Sequence, residues 1–251
     1  MVDTHCHLDS CKSPAAELVE RARAAGVGRL ATVGMYDESI ARSLAIAEEL
    51  DGVVAIVGRH PHYTEGFDRR DLEAIEQAAA HPRARAIGET GLDYFRDNAP
   101  RDDQRRAFEA QIELAARTGL PLVIHTREAE EDTFALLRER ASEVQVVMHC
   151  FSTAGRLDEC VERGYVCSFA GNVTYPKAVE LQAAARDVPA ELLLVETDSP
   201  YLAPQPVRGK PNEPANVVAT AQFVAELRGI SYEELEEAVE RNAAHVFGGD
   251  W

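Results

Sequence analysis

The chain has 251 residues, 45% of them hydrophobic and 27% charged, and no run of about 18 apolar residues. This usage is globular, and it excludes long disorder, a fibrous repeat and a membrane-spanning helix. The formal net charge is −17, from 43 acidic against 26 basic residues; only Lys12, Lys177 and Lys210 are lysine, so 23 of the 26 are arginine.

Short apolar runs predict strands at 2–8, 29–34, 53–58, 84–89, 121–125, 144–149, 165–169 and 192–197. Helical patterns separate them near 14–25, 37–50, 69–80, 101–118, 127–141, 154–163 and 176–186, followed by 213–228 and 231–247. Ser13-Pro14 reads as an N-cap followed by proline at the first helical position, and Gly26, Gly119, Gly164 and Gly229 read as helix stops. Eight strand-then-helix units predict a parallel sheet, and that number predicts one α/β domain over residues 1–251, a TIM (β/α)8 barrel. An open doubly wound sheet is the alternative, but no GxGxxG follows the first strand. Residues 204–216, rich in Pro, Gly and Asn, form a long loop after the last strand, where barrel active-site loops lie.

The chemistry sits where the apolar runs end. His5 and His7 are two apart on the first strand and share a face with Asp3. Further along are Arg59-His60-Pro61-His62, Ile87-Gly88-Glu89, Val123-Ile124-His125, Val147-Met148-His149 and Val195-Glu196-Thr197-Asp198. One polar strand end merely marks an exit into solvent. In a parallel barrel the five ends that carry His5 and His7, Glu89, His125, His149 and Asp198 converge on one rim, and without a counter-ion they leave buried polar groups uncompensated. Divalent metal resolves this, since imidazole and carboxylate are its ligands. His5, His7, Glu89, His125, His149 and Asp198 exceed one tetrahedral ion and fit two, with Glu89 as the bridge. No lysine lies at a strand end, which excludes a modified-lysine bridge.

Thr4-His5-Cys6-His7-Leu8-Asp9, Gly58-Arg59-His60-Pro61-His62, Gly88-Glu89-Thr90-Gly91-Leu92-Asp93-Tyr94, His149-Cys150-Phe151-Ser152, Glu196-Thr197-Asp198-Ser199-Pro200-Tyr201-Leu202 and Arg208-Gly209-Lys210-Pro211-Asn212-Glu213-Pro214 resemble, in order, the motifs of the TatD family of metal-dependent hydrolases. The resemblance spans essentially the whole chain. It implies an amidohydrolase-like TIM barrel, one or two divalent ions (Zn, Mn or Mg) and the nuclease activity of several members. It carries His5, His7, Glu89 and Asp198 onto one ion, and Glu89, His125 and His149 onto the other. Thr153-Ala154 departs from the usual Gly-Ser, at a loop rather than a ligand.

The expected catalytic residues are Asp198, which orients water and accepts its proton, Glu89, and His60 at the phosphoryl group. His60, His62, Arg127, Arg208 and Asn212 are the expected substrate contacts. Glu196 shares a strand face with Asp198 and is expected behind the ligands. Cys6 and Cys150 are expected in the core, His81 and His245 in structural roles, and the acidic runs 128–132 and 233–237 on solvated helix faces. The expected reaction is phosphodiester hydrolysis in DNA by metal-activated water. A metal-dependent ester or amide hydrolase, such as a D-aminoacyl-tRNA deacylase, is the alternative, and a non-catalytic metal-binding barrel the third reading. No membrane and no obligate protein partner are implied.

Five cysteines without a CxxC read as reduced thiols, and the first seven residues lack a signal peptide's basic start and apolar core. A cytoplasmic protein is therefore expected. Acid-rich, lysine-poor composition suits molar salt, so a halophilic protein is expected too. The charge of −17 opposes electrostatic capture of nucleic acid until salt screens it.

Overall fold

Strand β3, Val53–Val57, is Val-Val-Ala-Ile-Val and is buried along its whole length. Unbroken burial of β-branched residues is what a parallel strand covered by helices requires. The same logic produces β1 (Val2–Cys6), β2 (Arg29–Gly34), β4 (Ala84–Asp93), β5 (Leu122–Arg127), β6 (Val146–Met148), β7 (Val166–Phe169) and β8 (Leu193–Val195). In a computed structural model describing residues 1–249 and Trp251, these strands follow one another in the sheet in sequence order. Helices alternate with them: α1 (Ala15–Ala24), α2 (Asp37–Glu49), α3 (Arg69–Ala79), α4 (Arg101–Thr118), α5 (Glu130–Arg140), α6 (Leu157–Arg163) and α7 (Val179–Asp187). The chain closes with α8 (Val217–Arg228) and α9 (Tyr232–Phe247). Cys6 forms a parallel bridge with Ser199, just beyond β8, and Asp198 donates its N–H to His5 O at 2.9 Å. Sequential parallel order with the last strand returning to the first is the topology of a (β/α)8 barrel. No helix among the described residues is long and apolar enough to cross a membrane.

The chain divides into two compact units. The first comprises Met1–Thr32, Glu49–Val53 and Met148–Trp251. In it β1 pairs with β2, β7 pairs with β8, and α9 packs on β8 and β1 around buried Leu193, Leu194 and Val239. The second comprises Val33–Glu48 and Val54–Val147. There β3 pairs with β4 and β4 with β5, and α4 covers β4 with buried Phe108 and Ile112.

Several local expectations change. Ser13 does not cap α1. Pro14 itself is the N-cap, at φ −55° and ψ 143°, and its carbonyl accepts the N–H of Leu18 at 3.1 Å. Side-chain capping occurs instead at α3 and α9, where Asp68 with Asp71 and Ser231 with Glu234 form capping boxes. Gly119, Gly164 and Gly229 do close α4, α6 and α8 in the left-handed conformation. Strand β4 runs four residues beyond Glu89, because Thr90–Asp93 pair with Ile124–Arg127 of β5. Strands β6 and β8 stop before His149 and Glu196, so those residues stand on the loops that leave the strands.

Candidate metal centre

In the first unit, β1 delivers His5, and His7 lies just past the strand's end, with ring centroids 5.1 Å apart and edge to face. The ring of His149 stacks on that of His5, with centroids 3.5 Å apart and 16° between planes. Glu196 Oε1 lies 2.7 Å from His149 Nδ1 and accepts the N–H of Cys150 at 2.9 Å. Asp198 Oδ1 lies 3.3 Å from His7 Nε2 and 4.0 Å from His149 Nε2. Burial works to raise the Asp198 carboxyl; the hydrogen bond from His7 and the charges of the surrounding imidazoles outweigh it and hold the group below its ordinary range. Asp198 and Cys150 hold left-handed backbones, at φ 52° and 44°. Such conformations cost of order 1–3 kcal/mol each and persist where the surroundings over-determine them.

Asp3 supplies part of that determination. Its Oδ1 accepts the N–H of Thr197 at 2.8 Å, and its Oδ2 accepts the Thr197 hydroxyl at 2.6 Å. Thr197 stands between Glu196 and Asp198, so Asp3 ties β1 to the segment that carries both carboxylates. Complete burial pushes the Asp3 carboxyl up to about 8. Its sequence signal is its place two residues before His5 on the same strand face.

In the second unit, Glu89 and Asp93 come from β4, His125 from β5, and His60 and His62 from the segment after β3. His125 lies between the two carboxylates, with Nδ1 2.9 Å from Glu89 Oε1 and Nε2 3.1 Å from Asp93 Oδ2. The same Asp93 oxygen is 2.8 Å from His62 Nε2. Its other oxygen accepts the N–H groups of Phe95 and Arg96, at 3.1 and 2.8 Å. Burial again opposes ionisation, and these hydrogen bonds hold the Asp93 carboxyl far below its usual range. His60 is 5% exposed; its Nε2 is 3.5 Å from Glu89 Oε1, and its Nδ1 accepts the His62 N–H at 3.1 Å. Burial pushes the His60 imidazolium down to about 4, so the ring is neutral at pH 7.

The remaining expected residues divide. Arg127 is exposed, with its guanidinium 3.9 Å from the Phe95 ring centroid. Arg208 is exposed too, 4.2 Å from that of Tyr175. Asn212 is buried, and its amide donates to the carbonyls of Thr197 and Tyr201, at 2.9 and 2.6 Å. Its Oδ1 accepts from Glu213 N and Asn216 Nδ2, so Asn212 holds the loop after β8. Cys6 is buried as expected, whereas Cys150 is half-buried beside His149 and Asp198 rather than in the core. The left-handed turn there moves it off the strand pleat. His81 accepts the N–H of Arg83 at 3.1 Å in its loop, and His245 is exposed near the end of α9.

Both clusters fit a divalent ion by their donor chemistry. One ligand atom each from His5, His149 and Glu196 lies within 4.8 Å of the others, and the same holds for His149, Cys150 and Asp198; His60, Glu89 and His125 are as close together, with Glu89 and His125 the donors to an ion and His60 Nε2 turned to Glu89. Imidazole nitrogen and carboxylate oxygen, mostly buried, are the ligands that zinc and manganese take.

Residues 2–248 match the sequence model of the family described as TatD related DNase. The chain is 41% identical over 262 residues to an uncharacterized metal-dependent hydrolase, TatD, of Mycobacterium tuberculosis, covering 100% of this chain and 99% of that one. It is 34% identical over 241 residues to the 3'-5' ssDNA/RNA exonuclease TatD of Klebsiella pneumoniae, covering 93% and 92%. Among solved structures it is similar to the TatD homologue YjjV of Escherichia coli K12, with a TM-score of 0.92 and 30% identity over 99% and 98% of the two chains. Family match, identity and fold agree over nearly the full length: the protein belongs to the TatD-related DNase family and is a metal-dependent hydrolase.

Proposed function

We propose that the protein is a nuclease that hydrolyses phosphodiester bonds of single-stranded nucleic acid with one or two divalent ions. The observation that carries the reading is the buried stack of His5 on His149 with Glu196 and Asp198 beside it. The exonuclease relative supports the substrate class. In the two-ion arrangement that the family resemblance implies, His5, His7, Glu89 and Asp198 would hold one ion, and Glu89, His125 and His149 would hold the other. Within each unit the paired strands are parallel, so their carboxyl ends share an edge, which supports a ligand cluster at that edge. Bound ions would supply Lewis acidity, lowering the pKa of water and offsetting phosphoryl charge.

The chain's own groups do the rest. Asp198, held ionised, orients the attacking water and takes its proton. Glu196 anchors His149, and Asp93 anchors His62 and His125. Neutral His60 donates a hydrogen bond rather than a charge. Arg127 and Arg208 supply the cations for nonbridging oxygens. Zinc or manganese suits the imidazole-rich donors better than magnesium does. The five free thiols support a cytoplasmic setting, and the acid-rich, lysine-poor composition supports a halophilic one.

The test is a metal-by-substrate matrix on chelator-stripped protein. Zinc, manganese and magnesium are each added to single-stranded DNA, nicked duplex and aminoacyl-tRNA. Single-strand shortening is expected, and it should vanish with chelator and in Asp198→Asn. Deacylation of the tRNA without phosphodiester cleavage would overturn the nuclease reading.

A further inference from the structure

The segments that leave β1 and β8 enclose a second feature of the first unit, a groove of about 690 Å3. Its volume lies within the range of ligand sites. Leu18 and Pro200 line its apolar part, and its cations are Lys12, Arg21 and Lys210. Arg21 is committed to Glu213, with Nε at 3.0 Å and Nη2 at 2.8 Å from one carboxylate oxygen. Lys12 and Lys210 are exposed and form no ion pair among the described residues. Two of the three lysines in a chain of net charge −17 therefore meet at one groove. Three cations face one lining carboxylate, Glu213, so the groove's charge balance is opposite in sign to that of the whole molecule, and such a cleft concentrates anions.

A second observation links the groove to the metal cluster. Tyr201, next to the lining residue Pro200, is 53% exposed. Its ring lies edge-on to His7, with centroids 5.9 Å apart and 71° between planes. Tyr201 thus joins the two features: its ring lies against His7, and its backbone follows Pro200, which lines the groove. Proteins that hold single-stranded nucleic acid use this combination, stacking bases on aromatic faces while cations follow the backbone. Resting on the nuclease reading, we infer that the groove takes the strand flanking the scissile phosphate. Tyr201 stacks one base, and Lys12 and Lys210 neutralise neighbouring phosphates. A paired duplex keeps its base faces stacked and cannot offer one to Tyr201, which ties the groove to single strands.

The test uses fluorescein-labelled dT8 and rU8 oligonucleotides with the full chain in EDTA, where binding is read by anisotropy without cleavage. The Lys12→Gln/Lys210→Gln double variant is expected to weaken binding at least fivefold. It should also flatten the slope of log K against log salt by about 1.4, roughly 0.7 for each phosphate no longer neutralised. Tyr201→Ala is expected to weaken binding roughly fivefold or more and to leave the slope unchanged. Lys177→Gln, away from the groove, should change neither. Unchanged affinity and slope in the double variant would overturn the groove. Failure of the metal-loaded wild type to turn over bis(p-nitrophenyl) phosphate or either oligonucleotide would instead count against the nuclease reading, while the anisotropy series still decides the groove.

Discussion

His60 and Glu89 look alike as polar strand-end residues but differ in what their atoms can do. The Nδ1 of His60 accepts the N–H of His62, so a neutral ring carries its proton on Nε2, facing Glu89. A protonated nitrogen has no lone pair for a metal. His60→Ala is therefore expected to leave metal content per chain, read by mass spectrometry, unchanged while turnover falls about 10- to 100-fold. Loss of metal together with activity would make His60 a ligand. Glu89 faces both His60 and His125, and as the proposed shared ligand it would serve both ions when they are bound. Glu89→Gln should lower metal content and cost more activity than any single histidine change. Unaltered content and activity would sink the bridging role. Asp93 orients two imidazoles through one oxygen. Asp93→Asn is expected to reduce metal affinity about 10- to 100-fold, measured by competition with a chelating dye.

Strand β4 is the longest of the eight, at ten residues, and it carries both Glu89 and Asp93. Between them Gly91 has φ 138°, and a Cβ there would collide with the carbonyl oxygen of His125. Close approach of the two backbones is thus a condition for seating His125 between the carboxylates. Gly91→Ala is expected to destabilise the protein by about 1–3 kcal/mol in urea unfolding. Gly155→Ala should be nearly neutral, because open space surrounds that position. Equal stability of the two variants would show that β4 and β5 separate easily. The same strand explains what is legible in the sequence. Apolar runs such as Val53–Val57 announce a strand by themselves, and His125 and His149 stand out because each follows one. Thr90-Gly91-Leu92-Asp93 has no such run; its strand character comes from pairing with β5, which only the fold supplies. Asp93 therefore does not stand out as a site residue, although its spacing of four from Glu89 keeps it on the same face of a strand. The turn at Cys150 is hidden for a related reason, since nothing in its residue type marks a left-handed backbone.

At the scale of the whole molecule, 43 acidic residues face 26 basic ones. Exposed pairs such as Arg69 with Glu73 and Arg101 with Asp97 return little stability each, about 0–1 kcal/mol and less in salt. The excess negative charge destabilises the compact state by self-repulsion and repels a polyanion. Screening should relieve both. Melting temperature and nuclease rate are therefore expected to rise together from tenths molar towards molar KCl, on one metal-loaded preparation. A maximum of both near 0.1 M followed by a steady fall would overturn the halophilic reading and leave the metal centre untouched.

The groove beyond β1 and β8 also makes the scarcity of lysine a chemical handle. A succinimidyl ester that acylates ε-amines has three side chains to attack, and Lys12 and Lys210 both line the groove. Peptide mapping of the acylated protein then amounts to a footprint. An oligonucleotide seated in the groove shields two reporters while exposed Lys177 keeps reacting, so occupancy can be followed by mass in unaltered protein, with no fluorophore and no substitution.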